Sequence, residues 1–362
     1  MGFLFIDMKP ADYTSLNLNG TSLEGPEILE FCNAQSEEHY TQLSQFLSQW
    51  LDDREDLEVK TSGSTGTPKA ICIPKARMLQ SAAATARFFG FQPGETALLS
   101  LPVSHIAGKM MVVRALYSHL NLKYIRPSHH PITELGTQDK INFAPFTPMQ
   151  LSEANDTGNI DTILLGGGPV SPDLELKLQM WQAAIYHGFG MTETLSHIAL
   201  RRVNGPDASG VYKALPGVEL TVDERSCLVI RAPFVEGPVV TNDIVDLQGN
   251  DAFVWRGRID HVINSGGIKL FPEEIEKKLN TCIDRDYFIA GIPDPIFGEK
   301  ICLFIEGEAW SYEQQDKLSN IMDQCLTKYE RPKKLYFVLN FSRTLSGKIQ
   351  RKTTIEYVLQ NR

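Results

Sequence analysis

Apolar positions repeat at two spacings along this chain, and the changes between them mark its elements. Over 37–50, Tyr40, Leu43, Phe46, Leu47 and Trp50 fall on one face at helical spacing, which predicts an amphipathic helix packed on a core. Short apolar runs predict strands at 57–60, 96–101, 122–125, 162–165 and 183–186, with a further apolar region at 141–148. The alanine-rich segment 78–89 reads as a helix closed by Gly90, and LPVSHIAGKMMVVRAL at 101–116 as a strand end entering a helix. Residues 10–25 read as loop. Strands alternating with helical patterns predict an α/β fold with a mainly parallel sheet.

The pattern then changes twice. Over 205–250, short apolar runs at 218–222, 228–230 and 239–240 are separated by turns rich in Gly, Pro, Asp and Asn, which predicts a β subdomain. From 273 onward the reading is helix 273–280, strands 287–290 and 301–305, helix 311–328, strand 335–338 and helix 351–359. That is an α+β unit of about a hundred residues, an ordinary domain size. The predicted division is therefore a large N-terminal domain, 1–259, and a small C-terminal domain, 260–362.

Three glycine-rich stretches sit where strands of this reading end. TSGSTGTPKA begins at Thr61, GGGPVSP at Gly166, and GFGMTE at Gly188. Glycine lets a ligand approach the backbone, and successive exposed N–H groups form an anion-binding concavity. Ser62, Ser64, Thr65 and Thr67 add hydroxyl donors and Lys69 a mobile cation. The chemistry is a grip on a polyphosphate. It is not a P-loop, because Lys69 follows a proline and no G-K-[ST] ending is present. The alternative for each stretch is a flexible surface loop. Their coincidence with the carboxyl ends of strands, where open α/β sheets bind ligands, favours a nucleotide site.

Composition narrows the classes. At 42% hydrophobic and 22% charged residues, the chain of 362 residues is ordinary globular material. A net charge of −9 argues against a general binder of nucleic acid or anionic membrane. No apolar stretch approaches the length of a membrane span, and the start is too short an apolar run for a signal peptide. Cys32, Cys72, Cys227, Cys282, Cys302 and Cys325 are scattered and read as small hydrophobes in a reducing, cytoplasmic setting.

Other residues carry candidate chemistry with a plain alternative beside it. His105 lies between a strand end and a helix, where it faces a cleft or forms a partly buried hydrogen bond. Arg114 inside an apolar helix needs a carboxylate, from the protein or from a ligand. Taken alone, Glu193 reads as a helix-start carboxylate and Asp243 as a surface turn acid. Lys348, after Gly347 in TLSGKIQR, enters a cleft or lies solvated beside Arg343 and Arg351.

TSGSTGTPKA, GFGMTE, TND, GRIDHVINSGGIKLFPEEIE and RTLSGKIQR, in this order over 57–358, resemble the acyl-adenylate-forming superfamily of acyl- and aryl-CoA ligases, amino-acid adenylation domains and luciferases. LPVSHIAGKMMVVRAL, LLGGGPVSP and GMTET are most similar to the o-succinylbenzoate–CoA ligases of menaquinone biosynthesis. The resemblance implies an ATP-dependent ligase that converts a carboxylic acid to an acyl-adenylate and then to a CoA thioester, with Mg²⁺. It implies that Thr61, Ser62, Ser64, Thr65 and Lys69 hold the β- and γ-phosphates, that Thr192 meets the α-phosphate and that Glu193 binds Mg²⁺. Gly166, Gly167, Gly168, Phe189 and Gly190 would flank adenine, and Asp243 and Arg258 the ribose. Lys348 would bridge the substrate carboxylate and the α-phosphate, gathering two anions that otherwise repel. His105, Arg114 and His197 would line the acyl side. Asp260 would be the hinge of a mobile C-terminal domain, with Gly266, Gly267 and Lys269 beside the CoA path.

Three departures stand out. Phe189 replaces the family's tyrosine, Asn242 the glycine of T-G-D, and Ser342 the proline before the lysine motif. Only the 60 residues before Thr61 precede the phosphate stretch, fewer than the family carries, so a dimer contact or a compacted fold is expected there. A ligase for another acid, an adenylation domain loading a carrier protein and a non-catalytic nucleotide binder are the alternatives. LPVSHIAG lacks the aspartate that amino-acid-using relatives place there.

Overall fold

Ridges of Ile, Leu, Val and Phe at alternate strand positions bury both faces of one large sheet. The computed structural model describes residues 8–60, 70–343 and 349–360. Among these residues the sheet has thirteen strands. Its parallel part runs in space through Ala184–Gly190, Ile160–Leu165, Ile141–Phe146, Thr96–Leu99, Asn121–Tyr124 and Ser15–Leu18. Alternate residues feed two cores. Ala97 and Leu99 join one packed by helices Lys75–Phe89 and Ile106–Ser118, whereas Leu98 joins another that includes Leu151, Leu174 and Leu178. Apolar residues on both faces are what a parallel sheet covered by helices requires. The chain steps outward from Thr96–Leu99 to Asn121–Tyr124, then returns to the other side at Ile141–Phe146. In open α/β sheets such a reversal is where ligands bind, outside the carboxyl ends of the strands.

Beyond Ala184–Gly190 the sheet becomes antiparallel. His197–Arg202 is followed in space by Val211–Ala214, Ala252–Arg258, Val239–Leu247, Cys227–Arg231 and Glu219–Val222. The predicted β subdomain is thus a continuation of the same sheet.

Two expectations are corrected. Residues 10–25 are not loop: Ser15–Leu18 and Thr21–Glu24 form a hairpin on the sheet edge. Asn19 at φ 50° and Gly20 at φ 85° make its two-residue turn, a strong hairpin signal that the short flanking strands obscured. Asn19 also ties the hairpin inward, donating to the Tyr40 hydroxyl at 2.8 Å and to the Tyr124 carbonyl at 3.0 Å. Helices Pro26–Asn33 and Glu38–Leu51 pack beside it, with Phe46, Leu47 and Trp50 fully buried. Second, the strand before the phosphate stretch is not in the parallel sheet. Asp56–Lys60 pairs antiparallel with Ala70–Pro74 alone, because the chain returns directly alongside itself with Leu57, Val59 and Ile73 as shared buried contacts. Lys60 and Ala70 are register partners, so residues 61–69 leave and rejoin one ladder. Lys75 anchors its base, its buried ammonium donating to the Asp52 carboxylate at 2.9 Å and to the Asp52 carbonyl at 2.8 Å.

Residues from Ile263 onward build a second sheet of five strands among the described residues, Ile263–Ser265, Ile268–Leu270, Tyr287–Asp294, Gly298–Glu306 and Lys334–Val338. Helices Pro272–Leu279, Tyr312–Cys325 and Arg351–Gln360 accompany it. The helix expected over 311–328 stops at Cys325, where Leu326 turns extended and Glu330 accepts from the Thr327 N–H at 2.9 Å.

Helix Ile106–Ser118 lies so close to the turn before it that a Cβ on Gly108 would stand 2.3 Å from the Pro102 carbonyl oxygen. Backbone cannot give way as a flexible side chain can. Gly108→Ala is therefore expected to cost about 1–3 kcal/mol of stability by overpacking, seen as a lower midpoint in chemical denaturation. An unchanged midpoint would refute the close approach.

Candidate active site

The residues at and beyond the carboxyl ends of the parallel strands are 100–105, Thr147, Gly166–Gly168 and the Phe189–Glu193 segment. Gly190 ends its strand facing the antiparallel neighbour, where an added Cβ would lie 2.2 Å from the Ser196 carbonyl oxygen and 2.5 Å from the His197 Cα. Only glycine fits there. Gly167 adopts φ 82°, which favours glycine again, and the Gly166 N–H donates to the Phe146 carbonyl at 3.0 Å.

A polar chain fixes the glycine wall. His187 Nε2 lies 3.0 Å from the Gly168 carbonyl oxygen, and Nδ1 lies 2.8 Å from the Tyr212 hydroxyl. The carbonyl can only accept, so Nε2 carries the proton and Nδ1 accepts from Tyr212. Burial, reinforced by the nearby Arg201 guanidinium, brings the His187 pKa down to about 4, so the ring is neutral as this pattern requires. Arg201 in turn donates to the Tyr212 oxygen and pairs with Glu175 on helix Pro172–Leu178. Phe189, two residues from His187 along the strand, packs edge-on to Phe253 at 5.1 Å and to Tyr212 at 5.8 Å. Its ring is partly exposed, as a stacking surface must be.

Thr192 and Glu193 lie in a single 3-10 turn, Thr192–Thr194. Thr194 secures it, accepting from the Met191 N–H at 3.0 Å and lying 2.7 Å from the Ser196 carbonyl. Glu193 is exposed, and no described residue forms an ion pair with it. Among the described residues no three His, Cys, Asp or Glu side chains are grouped to hold a metal. A lone carboxylate of this kind suits Mg²⁺ shared with phosphate oxygens.

Asp243 is 8% exposed. Burial raises its carboxyl pKa, opposed by the Trp255 indole N–H, which donates to Oδ1 at 2.9 Å, and by the Arg258 charge. Asn242 lies within the strand Val239–Leu247 and has no positive φ, so this position does not require the family's glycine. Arg258 is the register partner of Asp243. Its guanidinium is held by both oxygens of Asp260, at 3.0 and 3.1 Å.

His105 is exposed at the start of helix Ile106–Ser118. Arg114 and His197 are instead buried, 2% and 7% exposed, and are linked through Ser196. Arg114 donates to Ser196 Oγ at 2.6 Å, and Ser196 Oγ lies 3.1 Å from His197 Nδ1. His197 Nε2 meets Thr85 Oγ at 3.2 Å, and Thr85 donates to the Ser81 carbonyl. No described carboxylate pairs with Arg114, and its Nε is buried without a hydrogen-bond partner among the described residues. Burial lowers the Arg114 pKa to about 10. Burial and then Arg114 push His197 well below its usual range.

Thr61, Ser62, Ser64, Thr65, Lys69 and Lys348 lie outside the described residues. Their anchors do not. Arg343 and Ile349, on either side of 344–348, form a β-bridge. Arg343 pairs with Asp286 and Glu306, and Arg351 with the partly buried Glu276 at 2.8 Å. Gly266 and Gly267, at φ 59° and 83°, form the turn between Ile263–Ser265 and Ile268–Leu270, and exposed Lys269 follows. His261 contacts Glu273 on helix Pro272–Leu279, and Glu273 also lies 4.0 Å from Arg351.

Gly166–Gly168 follow one parallel strand and Phe189–Gly190 end the next, Glu193 lies in the turn beyond, and Asp243 stands on the same sheet with three strands between. His187, Tyr212, Ser196 and Trp255 were missed as supports. The period of two from Ile185 through His187 to Phe189 could have flagged His187, but nothing local marks Tyr212 or Trp255 as partners.

The family described as AMP-binding enzyme matches residues 60–240. A solved acyl-CoA synthetase (AMP-forming)/AMP-acid ligase II-like protein from Dyadobacter fermentans is 34% identical, with 91% of this chain and 98% of that one covered and a TM-score of 0.60. The o-succinylbenzoate CoA synthetase of Bacillus subtilis in complex with its acyl-adenylate intermediate superposes with a TM-score of 0.75 over 94% of each chain; at 16% identity this likeness is one of fold. The 2-succinylbenzoate–CoA ligase of Lactococcus lactis is 26% identical over 83% of this chain and 71% of its own length. No described helix is long and apolar enough to cross a membrane.

His187 and His197 are held neutral in the folded chain, whereas in the unfolded chain they titrate near 6.5. Below that pH the unfolded state binds more protons, so stability is full above pH 6.5 and is lost as pH falls toward the folded values. Each ring contributes a slope of up to about 1.4 kcal/mol per pH unit. Denaturant titrations at pH 7 and pH 5 should show the loss, and His187→Gln should remove one ring's share. An unaltered slope in that variant would rule out a neutral buried His187.

Proposed function

The chain belongs to the AMP-binding enzyme family, and from that premise we propose that it is an ATP-dependent acid–CoA ligase acting on o-succinylbenzoate. The substrate carboxylate attacks the α-phosphorus of ATP, expelling pyrophosphate and leaving an acyl-adenylate. The CoA thiol then attacks the acyl carbon and AMP departs. The observation that carries this reading is a glycine turn and a partly exposed aromatic at the carboxyl ends of two adjacent parallel strands, a lone exposed carboxylate in the turn that follows, and a buried aspartate in the antiparallel part of the same sheet. Phosphate, adenine, metal and ribose each need one of these. The names of the curated relatives support the acid.

In this reading Thr61, Ser62, Ser64, Thr65 and Lys69 hold the β- and γ-phosphates and Thr192 the α-phosphate. Glu193 and phosphate oxygens hold Mg²⁺, which supplies charge neutralisation as pyrophosphate leaves. Gly166–Gly168 and Phe189 flank adenine, and Asp243 and Arg258 receive the ribose hydroxyls. His105 faces the acid. Arg114 acts from beneath it as an unneutralised cation, which favours a substrate bearing a second carboxylate. His197, neutral and buried, orients Ser196. Residues 1–259 and 260–362 act as two domains about Asp260. One orientation brings Lys348 to the site and the other brings Gly266, Gly267 and Lys269 beside the CoA path. Such a biosynthetic ligase would work in the cytoplasm.

Exchange of labelled pyrophosphate into ATP, run with a panel of carboxylic acids, tests the proposal. Exchange dependent on o-succinylbenzoate, followed by formation of its CoA thioester, is expected. Exchange with none of the acids would overturn the ligase reading, and exchange only with others would move the substrate. Lys348→Ala should lose adenylate formation by at least a hundredfold, as removal of a transition-state charge partner does, yet should consume preformed acyl-adenylate with CoA at near wild-type rate.

A further inference from the structure

We propose that Trp255 is a positioning residue for nucleotide binding, aiming the Asp243 carboxylate at the ribose. This rests on the reading that Asp243 receives the ribose hydroxyls, and adds to it the residue that sets the geometry. The argument begins in the ladder. Asp243 pairs with Arg258 and Ile244 with Gly257, but Val245 pairs with Trp255. Arg256 is therefore an extra residue on its strand, a β-bulge. Bulges beside functional sites commonly re-aim a side chain.

In an uninterrupted ladder, Arg256 would share the face of Asp243 and Trp255 would point the other way. The bulge exchanges them. Trp255 now stands on the Asp243 face, and Arg256 turns to Asp246 and Glu274. The result is the 2.9 Å hydrogen bond from Nε1 to Asp243 Oδ1. An indole N–H is a donor only, so the bond has one polarity and needs the aspartate as acceptor. It fixes the plane of the carboxylate and leaves Oδ2 with no donor among the described residues. A second lone pair on Oδ1 also stays free, so the carboxylate can still accept from two hydroxyls.

Arg258 does not do this work in the present arrangement, because its Nε and Nη2 donate to Asp260 and it forms no hydrogen bond to Asp243. The Asp243 N–H is likewise satisfied by Thr241 Oγ at 3.0 Å. Trp255 is thus the one described side chain that orients the carboxylate. Family resemblance does not single it out, since it stands outside the quoted motifs except as the residue two before Gly257.

Trp255→Phe keeps the ring packing and deletes the N–H. Equilibrium binding of ATP and of 2′,3′-dideoxy-ATP, with Mg²⁺, is measured for wild type, Trp255→Phe and Asp243→Asn. Loss of a hydrogen bond to a charged acceptor corresponds to about tenfold. ATP affinity should therefore fall about tenfold in Trp255→Phe while dideoxy-ATP affinity stays within twofold, so that preference for the hydroxylated ribose shrinks. Equal losses for both nucleotides would mean a packing role only and would overturn the inference, as would no loss. If Asp243→Asn kept the wild-type preference, the ribose reading itself would fall. If Asp243→Asn abolished it and Trp255→Phe did not, the Trp255 inference alone would. Trp255→Leu, which also lacks the donor, replaces Trp255→Phe should that variant not unfold cooperatively.

Discussion

The junction between the strands Ala184–Gly190 and His197–Arg202 is the constraint on which the site depends. Here a parallel sheet turns antiparallel, and the two backbones approach until no side chain fits at Gly190. That contact limits where the Thr192–Thr194 turn sits, since residues 191–196 are the whole connection between these strands. It also places Ser196 and His197 directly beneath, where they meet helices Lys75–Phe89 and Ile106–Ser118. One sheet thus carries Gly166–Gly168, the Thr192–Thr194 turn and the strand of Asp243. A loop-built site would lack such support.

The buried polar groups of this region follow one rule. Each buried imidazole has a donor on one nitrogen and an acceptor on the other, and each is held neutral by burial and a nearby guanidinium. His187 joins the glycine wall to the antiparallel half; His197 joins the helix after the phosphate stretch to the helix after His105. Neither need touch a substrate to matter. A buried network that is fully satisfied resists the rearrangement a half-satisfied one invites. The exception is Arg114, a buried cation without a described counter-ion.

Much of this could be read from residues alone, and the remainder has physical reasons for being hidden. Long apolar runs such as 160–165 and helical stripes such as Tyr40 to Trp50 specify their own element, because one period wins over several turns or pleats. Asn19-Gly20 went unread because strands of four residues carry too few alternations to set a period. Sheet membership of Asp56–Lys60 was misjudged because a strand's pattern records burial and not its partner. Gly166 was legible as part of a glycine stretch at a strand end, whereas Phe189, Glu193 and Asp243 were marked only by the family resemblance. Their supports were not: Tyr212 reaches His187 across twenty-five residues, and Trp255 reaches Asp243 only because one residue is inserted into a ladder. Such register shifts leave no compositional trace.

Glu273 has a mechanical meaning. It touches His261 in the segment after Arg258 and approaches Arg351, the first residue of the C-terminal helix, while Arg351 is clamped to Glu276 one turn further along the same short helix. Pivot and payload are therefore bolted to one girder. In the proposed alternation, rotation at the pivot would be delivered to the base of the Lys348 segment without slack, so the angular precision of the lysine would be set by three side chains some eighty residues distant in sequence from its own loop.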